Sequence, residues 1–222
     1  KKVLLIDVDS NMANVNILLN EKSKRTLLDF YNGLVSFNEL IHVYDKGFDI
    51  IYGDSGRLDY SFSVNGRIEK LFAELQKIAH RYDYIFLDTG SGIGDDVLTF
   101  IRSSSTVILV VTPEPTAIMD AYVILKSLKH SGSDAQKYVL VNKAANSDDG
   151  LNAFNNLNNA SLHFLKEGIK LIGIVEQDKT VVESIMGQQL LTEHFPLSLS
   201  ARRIRSLAMN FQKKIHVANN NQ

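Results

Sequence analysis

The sequence predicts an α/β fold in which a doubly wound, mostly parallel sheet is flanked by helices. Unbroken apolar runs at residues 3–6, 84–87 and 106–111 are typical of strands that are buried on both faces. Segments with apolar residues at helical spacing lie between these runs and after them. Strands that alternate with helices are the pattern of parallel sheets joined by right-handed crossovers.

The predicted elements follow one another along the whole chain. We expect six strands, at residues 3–6, 48–52, 84–87, 106–111, 138–141 and 170–175. We expect short helices over residues 27–32, capped by Thr26, and from Ser36 through His42. Longer helices are predicted at residues 66–81, 95–104, 117–130 and 199–214. Residues 147–159 are rich in Asn and Asp and are predicted as a loop, which continues into a helix through Glu167.

Composition narrows the class of protein. The chain has 222 residues, of which 45% are hydrophobic, which is enough for a full core and allows one large domain or two small ones. Since the sequence shows no interdomain linker, we expect a single domain over residues 1–222. The net charge of −1 argues against a protein that coats nucleic acid. The absence of Cys excludes disulfides, thiolate catalysis and Cys-based metal sites, and it fits a reducing cytoplasm. No apolar run approaches the ~20 residues that span a bilayer.

Acidic residues follow two of the predicted strands. Asp7 and Asp9 come at the end of the first strand, and Asp88 ends the strand before the glycine-rich turn 90–94. Ligands bind at the carboxyl ends of parallel strands, and carboxylates with phosphate oxygens are ligands that suit Mg²⁺. Each Asp taken alone is also a common turn former or helix cap. The two acidic ends together favour a site for Mg²⁺ and phosphate.

Three segments carry a resemblance to a known family. The segments IDVDSNMANV, LDTGSGIG and TPEPTAIMDAY, in this order, resemble the MinD/ParA family of deviant-Walker P-loop ATPases. Within it, the resemblance is strongest to the FlhG-type flagellar-number regulators. The resemblance covers essentially the whole chain and implies a P-loop NTPase fold of the MinD-like type. It also implies ATP and Mg²⁺ as cofactors.

The resemblance assigns roles on the metal and phosphate side. It implies that Asp9 is the catalytic residue that positions the attacking water. It implies that Asp7 lies near the Mg²⁺ shell and that Asp88 holds Mg²⁺ through water, so both are metal-site candidates. It places the N–H of Gly92 close to the γ-phosphate, where a side chain would obstruct the approach.

On the base side, the resemblance implies three further cofactor-binding residues. Asn142 is expected to recognise the adenine edge. Val175 and Glu176 lie in the segment that is expected to pack against the base, where Val175 replaces the Pro that is usual in the family.

The implied function is an ATP-dependent, dimerising switch ATPase that controls the placement or number of a polar structure such as flagella. The partners implied are a second copy of the chain and a flagellar or cell-division regulatory protein. The expected location is the cytoplasm, with peripheral contact to the inner face of the membrane as a weaker expectation. The last helix carries a basic face that includes Arg202, Arg203, Arg205, Lys213 and Lys214, which is a solvated face or a surface for DNA or anionic lipid.

One part of the family pattern is missing from the sequence. No glycine in the chain is followed by lysine, so the glycine-rich phosphate loop is not present. In the family this loop follows an earlier strand and precedes a helix, so its expected place is upstream of Lys1. Two alternatives to the switch ATPase stay open: a ParA-like DNA-segregation ATPase, and a non-catalytic interaction protein that kept the fold without the loop.

Overall fold

Seven strands form two sheets in the part of the chain that the structure describes. The structure is a computed structural model that describes residues 1–9, 12–22, 25–54 and 66–219, with side chains as far as residue 212. Its contacts divide the chain into two units, Lys1–Phe100 and Ile101–Gln222, and each unit has its own sheet. The strands are mostly parallel and helices connect them, which confirms the predicted α/β class.

The sheet of the first unit has the strand order β2-β3-β1-β4. Its strands are β1 (Val3–Asp7), β2 (His42–Asp45), β3 (Phe48–Ile51) and β4 (Tyr84–Asp88). Strand β1 lies between β3 and β4 and is parallel to both, whereas β2 is antiparallel to β3.

Strand β2 corrects the prediction of a helix that continues to His42. The helix α3 (Phe37–Leu40) ends earlier, and His42 begins the strand. A connection of two residues joins β2 to β3, and its Gly47 has a φ of +87°, which glycine adopts without strain. Since His42 and Val43 are exposed, β2 shows no apolar pattern that could have predicted a strand.

The helices of the first unit cover its sheet. They are α1 (Val15–Leu18), α2 (Leu27–Tyr31), α3, α4 (Arg67–Ile78) with a 3₁₀ turn at Ala79–Arg81, and α5 (Asp95–Arg102), which crosses the unit boundary. Helix α4 turns a buried stripe towards the core, consisting of Ile68, Leu71, Leu75 and Ile78. Because β1 lies in the middle of the sheet, its Leu4 and Ile6 are fully buried in the same cluster.

The sheet of the second unit is parallel, with the order β5-β6-β7. Its strands are β5 (Thr106–Val111), β6 (Gln136–Ala144) and β7 (Lys170–Glu176). The helices are α6 (Pro115–His130), α7 (Ser147–Ala160), α8 (Lys179–Met186), α9 (Leu191–His194) and α10 (Leu199–Asn219). Helices α8 and α9 were not predicted.

Helix α7 corrects the prediction of a loop at residues 147–159. The side chain of Asn146 caps the helix by accepting the N–H of Asp149 at 2.9 Å. Small and apolar residues at positions 150, 153 and 157 form its buried stripe. The many Asn and Asp residues occupy the remaining faces of the helix. Because they are typical of loops and the apolar stripe is short, the sequence predicted a loop where the structure has a helix. A π-helical turn, Ser161–Leu165, continues the helix.

None of the helices that the structure describes combines the length and the apolarity that crossing a bilayer requires.

We predict that Leu71→Ala lowers the free energy of unfolding by about 2–5 kcal/mol, because it leaves a cavity in a fully buried position. The matched control is Leu34→Ala, at a position that is 71% exposed, where a change within about 0.5 kcal/mol is expected. Urea unfolding followed by circular dichroism measures both. Equal losses in the two variants would contradict the assignment of Leu71 to the core.

Candidate functional site

The register of two parallel strands brings Asp7 and Asp88 together. Strand β1 pairs with β4 so that Asp7 lies directly opposite Asp88. The N–H of Val8 donates to the carbonyl of Asp88 at 2.9 Å and holds this end of the pair closed. The two acidic strand ends of the sequence therefore meet at one edge of the sheet, as predicted.

The Asp7 carboxylate is buried and fully engaged with backbone N–H groups. The residue is 3% exposed. One carboxylate oxygen accepts the N–H of Asp9 at 3.2 Å, and the other accepts those of Asn14 at 3.0 Å and Val15 at 3.2 Å. Burial raises the pKa of Asp7, these hydrogen bonds oppose the rise, and the nearby charge of Asp9 adds to it. Asp7 thus anchors the loop after β1 and the start of α1.

Asp9 lies in that loop, half-buried, two residues beyond the anchor. Its carboxylate accepts the N–H of Met12 at 3.0 Å. The carboxylate also lies against Gly90, in the turn that follows β4.

Asp88 differs from Asp7 in having an open carboxylate. The residue is exposed at the strand end, and its carboxylate accepts no hydrogen bond from the residues that the structure describes. Partial burial of the carboxylate raises the pKa of Asp88, and the negative charges of Asp7 and Asp9 raise it further. A carboxylate under this repulsion is suited to a cation.

The donor set fits a hydrated magnesium ion. Within the described ranges, no three His, Asp or Glu side chains are placed to hold a metal by themselves. Mg²⁺ usually keeps several waters and takes one or two carboxylates together with phosphate oxygens. Asp88 can supply such a carboxylate, whereas both oxygens of Asp7 already accept hydrogen bonds.

Gly92 needs to be glycine for its backbone conformation. Its φ is +100°, in the region that residues with side chains rarely adopt. No described atom lies within 4 Å of the position that a Cβ would take, so the space beside the turn is open. A ligand can approach the main chain of this turn closely.

In the second unit, Asn142 presents an amide group at the carboxyl end of β6. Its Oδ1 accepts the N–H of Lys143 at 2.9 Å, and Lys143 has a left-handed backbone with a φ of +56°. The Nδ2 group donates to none of the residues that the structure describes. The amide nitrogen is therefore available to donate to a ligand.

Val175 and Glu176 are buried at the end of β7. The Glu176 carboxylate accepts from Nε of Arg203 at 3.0 Å, from NH2 of Arg203 at 2.7 Å and from the Ser147 hydroxyl at 3.1 Å. The hydrogen bonds from Arg203 hold the pKa of Glu176 below its usual range. With both side chains occupied inside the unit, any contact with a base would come from the main chain.

The next carboxylate, Asp178, connects two helices. It accepts the N–H of Thr180 at 3.0 Å at the start of α8 and the N–H of Ser200 at 3.0 Å in the first turn of α10. The segment after β7 is thereby fixed to both helices.

Comparison with known proteins identifies the family. A family model described as an AAA domain, AAA_31, matches residues 1–140. The antiactivator FleN of Pseudomonas aeruginosa is 30% identical over 208 residues, which cover 94% of this chain and 74% of FleN. The chain belongs to the MinD/ParA family of P-loop ATPases.

One further relative and one solved structure are similar to this chain. The flagellum site-determining protein YlxH of Helicobacter pylori is 26% identical over 215 residues, covering 93% of this chain and 70% of YlxH. The septum site-determining protein MinD of Pyrococcus horikoshii, solved in complex with Mg-ADP, shares the fold. Its TM-score is 0.76 at 20% identity, over 97% of this chain and 85% of that chain.

Sequence reasoning missed one side-chain pairing beside the predicted base-side residues of this MinD/ParA chain. Arg203 was predicted as part of a basic face, but it pairs with Glu176, and Arg205 donates to the carbonyls of Thr192 and Pro196. The side chains of Lys213 and Lys214 lie outside the described part. No local pattern links Arg203 to a residue 27 positions away, so only the folded structure reveals the pair.

We predict that Asp88→Asn raises the Tm at pH 7 in the absence of Mg²⁺ and nucleotide. The folded pKa of Asp88 lies above the usual 3.8, so the folded state loses stability relative to the unfolded chain as pH rises through 3.8 towards the folded pKa. The variant removes this loss, and its advantage should disappear near pH 3, where the carboxyl group is protonated in both states.

Thermal unfolding between pH 3 and pH 7 measures the effect. Asp134→Asn, at an exposed loop position, is the matched control and should show no comparable gain. A lower Tm for Asp88→Asn at pH 7 would contradict the repulsion that the structure shows.

Proposed function

We propose that this chain is the switch ATPase domain of a regulator of flagellar number or placement. The observation that carries the proposal is the pairing of Asp7 with Asp88 at one sheet edge, with Asp9 in the adjoining loop. Relatives named as an antiactivator and as a flagellum site-determining protein support the flagellar role.

On the metal side, Asp88 would hold a hydrated Mg²⁺ through its open carboxylate. Bound Mg²⁺ would neutralise charge on the β- and γ-phosphates of ATP. The raised pKa of Asp88 supports this role, because a divalent cation offsets the repulsion from Asp7 and Asp9. Asp7 would contribute negative charge near the metal shell. It would also hold the loop that carries Asp9 in place. The proposal that the chain binds Mg²⁺ and an adenine nucleotide is supported by the similar MinD structure, which was solved in complex with Mg-ADP.

On the reaction side, Asp9 would position the attacking water. Phosphoryl transfer depends mainly on the position of the nucleophile and on charge stabilisation, so a fixed carboxylate beside the γ-phosphate is the element required. The open space beside Gly92 allows its main chain to approach that phosphate.

On the base side, Asn142 would donate its free amide nitrogen to the adenine edge. Val175 and Glu176 would contribute through their main chain, since their side chains are buried. The Glu176–Arg203 pair would keep this segment in place.

The switch itself would be an ATP-dependent dimer. A ligand shifts a monomer–dimer equilibrium only through contacts that it makes better in one state, so ATP would bind at the face between two copies. Hydrolysis would return the monomer. The ATP-bound dimer would act by binding a flagellar regulatory protein. It would also dock on the inner face of the membrane.

A complete site would also need a glycine-rich phosphate-binding loop, and residues 1–222 do not contain one. We propose that a preceding strand pairs with the open edge of β4 and carries that loop. The apolar run of β4 is typical of an interior strand, yet among the described strands it pairs with β1 alone, and Phe86 is 37% exposed.

We predict that calorimetric titration of Mg-ATP into residues 1–222 gives no measurable binding, because the glycine and lysine contacts to phosphate are missing. The natural-length protein, as the positive comparison, should bind, and omitting Mg²⁺ should weaken its binding. Tight binding to residues 1–222 would show that the pocket works without this loop. Absence of binding by both folded samples would overturn the proposed function.

We predict that Asp9→Ala in the natural-length protein lowers ATP turnover by about 100-fold or more while ATP binding is retained. Since hydrolysis is what returns the monomer, the ATP-bound dimer should accumulate. Phosphate release and light scattering measure the two effects, with Asp134→Ala as the control. Unchanged turnover in Asp9→Ala would rule out the role of Asp9.

A further inference from the structure

We propose that Gly90 is a positioning residue for Asp9. The Asp9 carboxylate occupies the space that a side chain at position 90 would fill. The loop after β1 and the turn after β4 are therefore packed against each other at this point. The catalytic consequence rests on the role of Asp9 proposed above, whereas the contact itself does not.

The contact between Gly90 and Asp9 is close and specific. A Cβ added at Gly90 would lie 3.0 Å from Oδ1, 3.1 Å from Cγ and 3.2 Å from Oδ2 of Asp9. These three are the nearest atoms, and all belong to one side chain. They are closer than carbon and oxygen atoms normally approach without displacement. A side chain at position 90 would therefore displace the Asp9 carboxylate by a few tenths of an ångström.

Position 90 requires glycine because a side chain there would collide with Asp9, and not because its backbone has a positive φ. The positive-φ glycines of the described chain include Gly92 but not Gly90. Position 92 shows the opposite situation, with a φ of +100° and no atom near the Cβ position. The same turn thus contains one glycine needed for a neighbouring carboxylate and another needed for its backbone.

Hydrogen bonds connect Asp9 to described residues before and after it in the sequence. Asp7 holds the N–H of Asp9, and the Asp9 carboxylate holds the N–H of Met12. A Cβ at Gly53, in the segment after β3, would lie 2.7 Å from the carbonyl oxygen of Asp7 and 2.8 Å from Cβ of Ala13, so this segment approaches the end of β1 and Ala13 closely. A group added at position 90 would therefore move the carboxylate itself, and a small movement of a catalytic group costs rate.

A double-mutant cycle tests the contact without nucleotide. In the natural-length protein, Gly90→Ala should lower the urea midpoint of unfolding when Asp9 is present. In the Asp9→Ala background the three crowding atoms are gone, and Gly90→Ala should leave the midpoint unchanged or raise it, because alanine restricts the unfolded chain. The matched cycle with Gly92→Ala should show the same loss in both backgrounds. Equal losses from Gly90→Ala in both backgrounds would overturn the proposal.

Kinetics test the consequence for turnover. Gly90→Ala should reduce kcat by about tenfold or more, with a much smaller change in the KM for ATP, since Asp9 acts on the water and not on nucleotide binding. In the Asp9→Ala background, Gly90→Ala should have no further effect on kcat. A non-additive stability cycle with unchanged kcat in Asp9→Ala would confirm the contact and reject the catalytic role of Asp9. An additive cycle would reject the contact whatever the kinetics show.

Discussion

The buried carboxylate of Asp7 is the constraint on which the acidic edge of the first unit depends. A charge with 3% exposure is costly unless donors surround it, and three backbone N–H groups of the following segment supply them. The loop after β1 must therefore fold back over the strand end. This arrangement holds the N–H of Asp9 in place, and the segment after β3 approaches the end of β1 closely at Gly53.

The second unit uses the same physical device with different donors. Glu176 at the end of β7 is buried and accepts two hydrogen bonds from the Arg203 guanidinium, while Asp178 accepts N–H groups at the starts of α8 and α10. In both units, carboxylates at strand ends tie the next segments to the sheet. The number of donors around each carboxylate separates these structural residues from Asp88, whose carboxylate accepts no hydrogen bond from the described residues.

The open carboxylate has an energetic consequence. Asp88 lies opposite Asp7 and near Asp9, and this cluster of like charges raises its pKa instead of stabilising the fold. Strained electrostatics of this kind are typical of sites that bind a cation or carry out chemistry. The three aspartates thus differ in environment although their residue type is the same: Asp7 anchors the following segment, whereas we propose that Asp9 positions water and that Asp88 holds a cation.

The sequence by itself determined six of the seven described strands, the helices α4, α5, α6 and α10, and the acidic edge of this protein. Apolar runs such as residues 84–87 and the stripe in α4 are local patterns, and local patterns predict local structure. Because parallel strands end at one edge, the positions of Asp7 and Asp88 also followed from sequence. Strand β2 did not follow from the sequence, because it is mostly exposed and forms by pairing with β3. Helix α7 did not follow either, because its buried stripe is short. Only the tertiary structure decided that Asp7 is engaged, that Arg203 pairs with Glu176 and that Gly90 contacts Asp9, because no local pattern in the sequence connects the residues of these contacts.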